Sequence, residues 1–239
     1  MTERGRGALR RDEATLAIGP SSLAWDGDAL TIRIDEVTSP VPSRLRGTVR
    51  LVPDALNPRG FTLDPAGRHR WRPIAPCARV EVALERPGLT WSGPAYLDTN
   101  DGDRALEDDF ALWDWCRAKL PGRDTAISYN VTRRDGSGHA IAIRCDAATG
   151  EVTDFAPPPP AALPPTRIWR VPRNTRADGG SAPRLLQVLE DAPFYSRSVM
   201  STRLLGEEAT AVHESLDLDR FRAPWVQAML PFKAPRALR

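Results

Sequence analysis

The stretch Leu30-Thr31-Ile32-Arg33-Ile34 alternates apolar and polar residues, and the same alternation returns at residues 79–84 and 140–145. Successive side chains of a β-strand point to opposite faces, so a period of two predicts strands with one buried face. Tight turns are predicted between such strands, at Asp26-Gly27, Asp101-Gly102, Asp135-Gly136 and Thr149-Gly150. Many short strands joined by tight turns predict an all-β protein, built as an antiparallel barrel or sandwich.

Only a few segments depart from this pattern. Residues 185–191 are predicted to form two helical turns, and residues 217–230 a short helical segment with Pro224 near its start. Residues 156–165 are rich in proline, which lacks the N–H donor that a central strand or a helix needs. We therefore expect either a stiff polyproline-type connector or a plain loop there.

Composition excludes several classes of protein. The 33 basic and 31 acidic residues among 239 give a net charge of +2, which argues against a nucleic-acid binder. No run approaches the ~18 apolar residues of a membrane span, and the first residues lack the apolar core of a secretory signal, so we expect a cytoplasmic protein. Three widely spaced cysteines are expected to be reduced thiols. Three histidines without ligand spacing predict no metal site.

The densest group of polar and aromatic residues lies at residues 91–100. On a strand, Tyr96, Asp98 and Asn100 point the same way and place a phenol, a carboxyl and an amide in a row. Upstream, His69 and Trp71 are also two residues apart and share a face. The alternative is that Tyr96 and Asp98 cap the turn before Asp101-Gly102 and that His69 is exposed. Spacing alone leaves both interpretations open.

Seven tryptophans stand out among the aromatic residues. Trp113 and Trp115 would lie on one face of a strand and could line an apolar cavity, although tryptophans also simply fill cores. No serine-nucleophile elbow, glycine-rich phosphate loop or zinc-protease motif competes with these residues as a catalytic signal.

At these residues the chain resembles the carotenoid 1,2-hydratase family, also called hydroxyneurosporene synthase, over nearly its whole length. The resemblance is carried by Trp91-x-Gly93-x-x-Tyr96-x-Asp98-x-Asn100-x-Gly102, Trp113-x-Trp115, Ala192-Pro193-Phe194-Tyr195-Ser196-Arg197 and His213-Glu214-Ser215-Leu216-Asp217-Leu218. The chain departs from the family at Pro94-Ala95, where a second glycine is usual. Family members also carry more sequence ahead of the position of Met1, so we expect this chain to begin late.

The resemblance implies a fold of two lipocalin-like antiparallel β modules with few short helices. We place the first at residues 1–108, with the His69/Trp71 and Tyr96/Asp98 pairs, and the second at residues 109–239. It also implies a hydro-lyase that hydrates the 1,2 double bond of neurosporene or lycopene in the carotenoid biosynthesis of phototrophic bacteria. His69, Trp71, Tyr96 and Asp98 match the positions proposed as catalytic in the family.

The chemistry that these residues suit needs no cofactor. Asp98 is expected to protonate the alkene, with Tyr96 or His69 tuning it and orienting water, and Trp71 facing the carbocation. Burial among aromatic rings is expected to keep Asp98 protonated, since an exposed aspartate with a pKa of ~3.9 is ionised at neutral pH. A further set of residues is expected to line the substrate-binding site: Trp91, Asn100, Trp113 and Trp115.

The expected partners are an acyclic carotenoid, water and a membrane that dissolves the substrate. Without an anchor in the sequence, we expect peripheral association with the inner or photosynthetic membrane. Two other functions stay open: a non-catalytic carotenoid or lipid carrier, and a terpenoid cyclase-type enzyme on the same architecture. The sequence leaves the preferred carotenoid and the oligomeric state undetermined.

Overall fold

The structure, a computed structural model, describes residues 4–38 and 41–233. Strands dominate these residues and all pair antiparallel, so the predicted all-β class is confirmed. The chain separates into two compact units: residues 1–54, 78–97 and 227–239 form the first, and residues 55–77 and 98–226 the second. The predicted division into residues 1–108 and 109–239 stays a prediction.

The first unit consists of one open antiparallel sheet. Its strands are β1 (Leu9–Arg11), β2 (Thr15–Ile18), β3 (Ser21–Trp25), β4 (Leu30–Val37), β5 (Arg44–Pro53), residues 78–86 at the end of a long strand, and residues 89–97 at the start of the next. Strands β1 to β5 pair in chain order, and β5 pairs with residues 78–86. The turn predicted at Asp26-Gly27 is confirmed, since the Asp26 carboxylate accepts the backbone N–H groups of Asp28 and Ala29.

The alternation seen in the sequence determines the register of this sheet. Leu30, Ile32 and Ile34 of β4 face the same side, and Leu30 pairs with Leu51 and Ile32 with Val49 of β5. A shift by one residue would turn these apolar side chains to the solvent face.

The second unit contains the strands that carry most of the sequence motifs. They are β6 (Phe61–Thr62), β7 (His69–Arg86, of which residues 69–77 belong here), β8 (Leu89–Gly102, residues 98–102 here), β9 (Phe110–Lys119), β10 (Thr125–Arg133), β11 (Gly138–Cys145), β12 (Val152–Asp154), β13 (Pro160–Leu163), β14 (Arg173–Arg176), β15 (Arg184–Asp191), β16 (Tyr195–Leu204) and β17 (Glu207–Asp217). The helices are α1 (Leu106–Asp109), α2 (Leu218–Phe221) and α3 (Pro224–Lys233), and of α3 only residues 224–226 belong to this unit.

Seven of these strands form one open sheet in the order β12-β11-β10-β9-β17-β16-β15, and β13 pairs with β14 as a separate ribbon. The described residues form no closed barrel, so of the two predicted architectures the closed barrel is excluded. One face of the sheet contributes a buried apolar cluster that includes Cys116, Ala118, Met200 and Leu204. The opposite face carries side chains that the candidate site uses, among them Trp113, Trp115 and Tyr129.

Three local predictions were wrong. Residues 185–191 form the edge strand β15 rather than a helix, because β16 offers backbone partners, although two register irregularities interrupt the pairing. Asp101-Gly102 continues strand β8 and makes no turn. The proline-rich segment is not a connector throughout, since Pro160–Leu163 pair with Arg173–Arg176 in a ribbon whose outer edge tolerates the missing proline N–H.

The prediction of a short helical segment near Pro224 is confirmed. The segment 217–230 contains α2 and then α3, which begins at Pro224. Cys77, Cys116 and Cys145 are buried free thiols. No helix among the described residues is long and apolar enough to cross a membrane.

Candidate functional site

The centre of the candidate site is a hydrogen bond between an indole and a carboxyl. Trp71 on β7 is fully buried, and its Nε1–H donates to Oδ2 of Asp98 on β8 at 3.0 Å. Asp98 itself is partly exposed. The indole therefore fixes the orientation of the carboxyl, and Asp98 lies in the middle of a strand rather than capping a turn.

Aromatic rings surround Trp71. The ring of Phe61 packs against it with centroids 5.3 Å apart, and that of Tyr129 with centroids 5.0 Å apart. Trp113 meets Tyr129 edge-on at 5.4 Å. Offset and edge-to-face pairs of this kind stabilise a cluster beyond the area that they bury. The result is an apolar, π-rich wall next to the carboxyl of Asp98.

Tyr129 connects this wall to a polar chain. Its hydroxyl accepts a hydrogen bond from Trp113 Nε1 and donates to Asn100 Oδ1 at 3.0 Å. Burial raises the pKa of Tyr129 well above its ordinary value, and the nearby acidic groups of Asp98 and Glu214 add to the rise. Tyr129 is therefore a neutral donor throughout the physiological range.

His69 is buried, so the alternative in which it is exposed is wrong. Its Nε2 is 2.8 Å from Oδ2 of Asp109. The other carboxylate oxygen of Asp109, Oδ1, binds the guanidinium of Arg68 at 2.9 Å. Burial alone raises the pKa of Asp109, but the hydrogen bond with His69 and the charges of Arg68 and Arg104 outweigh it and leave this pKa below its ordinary value. Asp109 thus holds the imidazole in one orientation as an ionised partner.

A steric constraint next to the His69–Asp109 pair explains why residue 102 of the motif is a glycine. A Cβ placed on Gly102 would lie 2.8 Å from Nδ1 of His69 and 3.3 Å from the carbonyl oxygen of Arg68. Only glycine lets β8 pass this close to the imidazole. The sequence motif that ends at residue 102 is therefore coupled to His69 by packing.

The structure brings together part of the predicted set. Trp71, Asp98, Asn100 and Trp113 are linked through the hydrogen bonds and rings described above. Trp115 is buried on β9, where it pairs with Tyr129 on one side and Glu214 on the other. The other two predicted residues, Tyr96 and Trp91, lie on β8 in the first unit, the former half-buried and the latter 48% exposed.

Sequence reasoning missed Phe61, Asp109 and Tyr129. None of them belongs to the motifs on which the sequence prediction rested, and their spacing from those motifs did not mark them. A signal existed for Tyr129, since it lies in an alternating segment that could pair with the strand of Trp113 and Trp115. Its position opposite Trp115 depends on the strand register, which the sequence did not predict.

A cavity of about 410 Å³ is lined in part by Phe61. Its walls combine apolar residues, among them Ile141, Phe155 and Pro157, with a nearly equal share of polar surface that includes His139 and Asp154. Burial lowers the pKa of His139, and the nearby Arg133 lowers it further, so its imidazole is neutral. The volume falls within the range of about 300–1,000 Å³ that is usual for small-molecule sites.

A second buried carboxyl lies on the other face of β9. Asp114 accepts hydrogen bonds from Ser215 Oγ at 2.5 Å and from the backbone N–H of Asn174 at 3.3 Å. Burial raises the pKa of Asp114 to about 7, and these two donors only partly offset the rise. Nearby, the buried His213 bonds the Asn174 carbonyl at 2.7 Å, and burial lowers its pKa to about 4.

The family is decided by comparison with known proteins. The family model described as carotenoid hydratase CrtC matches residues 1–239, the whole chain. The chain belongs to the carotenoid hydratase CrtC family. The resemblance on which the sequence prediction rested is therefore confirmed.

Relatives in the CrtC family are similar along nearly all of this chain. Acyclic carotenoid 1,2-hydratases of Thiocapsa roseopersicina and Rubrivivax gelatinosus are 57% and 45% identical over 236 residues, or 99% of the chain. That of Cereibacter sphaeroides is 43% identical over 238 residues. The chain spans 58% of the length of the first two relatives and 84% of the third.

Two solved structures resemble this CrtC-family chain in fold. An AttH candidate protein of Nitrosomonas europaea superimposes with a TM-score of 0.57 at 17% identity, covering 90% of this chain and 73% of the other. Kievitone hydratase of Nectria haematococca superimposes with a TM-score of 0.53 at 11% identity, covering 85% and 71%. At these identities the likeness concerns the fold alone.

Proposed function

We propose that this protein is a hydro-lyase that adds water to the terminal 1,2 double bond of an acyclic carotenoid, such as neurosporene or lycopene. Membership of the CrtC family and relatives named acyclic carotenoid 1,2-hydratase support the substrate class. The observation that carries the proposal is the carboxyl of Asp98 held by Trp71 against an aromatic wall.

The reaction begins with proton transfer from the neutral carboxyl of Asp98 to C2 of the substrate. The π electrons of the double bond form the new C–H bond, and C1 becomes a tertiary carbocation. Oδ2 of Asp98 accepts the Trp71 N–H, so the carboxyl is held in one orientation relative to the aromatic rings. Trp71 thereby aims the acid, which is the geometric requirement of general acid catalysis.

The aromatic wall stabilises the carbocation. The faces of Trp71, Tyr129 and Phe61 offer negative quadrupoles to a cation, an attraction of about 2 kcal/mol or more when water is excluded. Asn100, fixed by the Tyr129 hydroxyl, and the predicted residue His69 are proposed to orient the water.

Capture of the cation by water completes the addition. The water oxygen forms a bond to C1, and the excess proton returns to the carboxylate of Asp98. The acid is regenerated, and no electrons are gained or lost overall, so the reaction consumes no cofactor. This cycle needs only the carboxyl, water and the apolar surroundings.

The substrate end is proposed to enter the cavity beside Phe61, whose apolar residues suit an isoprenoid chain. Asn100, Trp113 and Trp115 are proposed to line the path of the polyene. Since acyclic carotenoids dissolve in membranes and not in water, we also propose that the protein associates peripherally with a membrane.

The decisive experiment is incubation of the purified 239-residue chain with detergent-dispersed neurosporene or lycopene in ¹⁸O-labelled water. A hydratase gives products heavier by one or two labelled waters. A carrier gives no product, and a cyclase-type enzyme gives an isomer of unchanged mass, so either result contradicts the proposal. Asp101→Asn, an exposed change on the same strand, is the control for Asp98→Asn.

A further inference from the structure

The loop between β13 and β14 presents an apolar side chain to solvent on a fixed backbone. Its ends, Thr166 and Val171, are both fully buried. The Thr166 N–H donates to the Val171 carbonyl at 3.0 Å, and the Val171 N–H donates to Thr166 Oγ1 at 3.0 Å. These two bonds close the loop at its base, so that Arg167, Ile168, Trp169 and Arg170 form its tip.

Two charged side chains hold the tip from outside the loop. The carboxylate of Asp191 accepts the backbone N–H groups of Ile168 at 2.9 Å and Trp169 at 3.4 Å. The guanidinium of Arg220 donates to the carbonyl oxygens of Trp169 and, at 3.3 Å, Arg170. Because these four hydrogen bonds hold the backbone from residue 168 to residue 170, the outward position of Ile168 is built into the fold.

The exposed apolar surface is larger than one residue. Ile168 is 72% exposed, and Trp225 of α3 is 48% exposed. The ring of Trp225 stacks on that of Trp169 with centroids 5.7 Å apart and planes 25° apart, so the loop and the helix share one aromatic surface. Exposed contiguous apolar surface of this kind marks an interaction site rather than ordinary protein surface.

Positive charge borders this surface. Arg167 and Arg170 flank the tip, and Arg222 precedes Trp225 by three residues; all three are exposed. Among the described residues, neither Arg167 nor Arg170 forms a salt bridge, whereas the carboxylate of Asp191 is occupied by the loop backbone. An apolar centre with a basic border complements a surface whose interior is apolar and whose outer layer is anionic.

We infer that Arg167, Ile168, Arg170 and Trp225, the docking surface, bind an anionic phospholipid bilayer. Ile168 would enter the acyl region, Trp225 would lie at the headgroup level, and the arginines would contact lipid phosphates. The inference rests on the proposed function, because it names the partner from which a lipophilic substrate is drawn.

The test is co-sedimentation of the purified chain with vesicles of phosphatidylcholine alone or with added phosphatidylglycerol. We expect binding to the mixed vesicles that weakens as salt is raised, since exposed charges are screened. Ile168→Ser and Trp225→Ala should each weaken binding at least ~5-fold, and Arg167→Glu with Arg170→Glu at least ~10-fold. Circular dichroism and thermal melting verify that each variant is folded.

Matched controls lie on surfaces away from this loop. Val41→Ser changes an aliphatic residue that is 76% exposed, and Arg10→Glu with Arg11→Glu reverses two exposed charges on β1. These variants should bind within ~2-fold of the wild type. Absence of binding by the wild type, or an equal loss in the controls, would overturn the inference. So would concentration-dependent dimerisation that Ile168→Ser abolishes while vesicle binding is unchanged, since a second copy would then occupy the surface.

The inference and the proposed function fail in different ways. With detergent-dispersed substrate, Ile168→Ser should hydrate at the wild-type rate, whereas with vesicle-embedded substrate it should be slower by the factor that its binding is weaker. If the substrate is hydrated but Ile168→Ser is as fast as the wild type on vesicle-embedded substrate, the docking surface is refuted and the proposed function stands. If vesicles bind through these residues but no water is added, the function is refuted and the docking surface stands.

Discussion

Trp71 Nε1 donates a hydrogen bond to Asp98 Oδ2 at 3.0 Å, and this bond joins two strands through a fully buried indole. It explains how a partly exposed carboxyl can be held in one orientation. Asp98 is partly exposed, so the deep burial that was expected to keep its carboxyl protonated is not found. One of its oxygens accepts the N–H of Trp71, whose ring belongs to the aromatic wall.

Replacing the acid should remove the reaction while leaving the fold in place. Asp98→Asn keeps the size of the side chain and can still accept the Trp71 N–H, but it has no acidic proton. We expect hydration to fall by about 100- to 10,000-fold, the usual contribution of a general acid. Product formation and thermal melting measure the two effects, and a wild-type rate in Asp98→Asn would show that another group protonates the substrate.

Trp71 is expected to act through its N–H as well as its ring. Trp71→Phe keeps a π face but removes the donor to Asp98, so hydration should slow while most of the packing is retained. Trp71→Ala should be slower still and should lose about 3–5 kcal/mol of stability, as large-to-small core changes do. The half-buried Trp25 on β3 supplies the control Trp25→Phe, which should leave the rate unchanged. Equal rates for wild type and Trp71→Phe would exclude a role for the N–H.

Removal of the Tyr129 hydroxyl tests the polar chain. Tyr129→Phe leaves Trp113 without its acceptor and Asn100 without its donor, which should cost about 1–2 kcal/mol. We expect a loss of about tenfold in hydration rate, because Asn100 is then free to move. The same change at the half-buried Tyr195 should affect the rate less. A larger effect at Tyr195 would place the water-orienting group elsewhere.

The His69–Asp109 pair should contribute stability that depends on pH. The pKa of Asp109 is lowered in the folded protein from an ordinary value of 3.8, so the contribution is present above pH 3.8 and is lost as the pH falls further. At pH 7, Asp109→Asn should lower the free energy of unfolding by about 2–3 kcal/mol. The adjacent, exposed Asp108→Asn is the control in urea titrations from pH 3 to 7, and a pH-independent difference would contradict the ionised pair.

The contribution of Asp114 to stability should depend on pH in the opposite direction. Its pKa is raised from 3.8 to about 7, so its favourable contribution is present below pH 3.8 and is lost as the pH rises towards 7. Since each pKa unit corresponds to about 1.4 kcal/mol, the wild type should lose up to about 4 kcal/mol relative to Asp114→Asn across this range. Asp28→Asn, at an exposed position, should show no such trend in denaturant titrations. Parallel pH profiles for wild type and Asp114→Asn would indicate an ordinary pKa.

The sequence by itself determined the fold class and the family. Alternation with a period of two can be satisfied only by strands with one buried face, and the spacing of His69 with Trp71 and of Tyr96 with Asp98 places each pair on one strand face. The combination of motifs from residue 91 to residue 218 identified the carotenoid hydratase family, because so many positions in a fixed order rarely coincide.

Only the tertiary structure decided which groups meet. Phe61, Asp109 and Tyr129 come from strands and a helix far apart in the chain, and their contacts depend on strand pairing and register. Residues 185–191 became a strand for the same reason, since a partner strand outweighs a local helical pattern. Trp71 was visible in the sequence as a ring beside a histidine. That its N–H points at Asp98 follows from the pairing of β7 with β8, a non-local arrangement that no local spacing encodes.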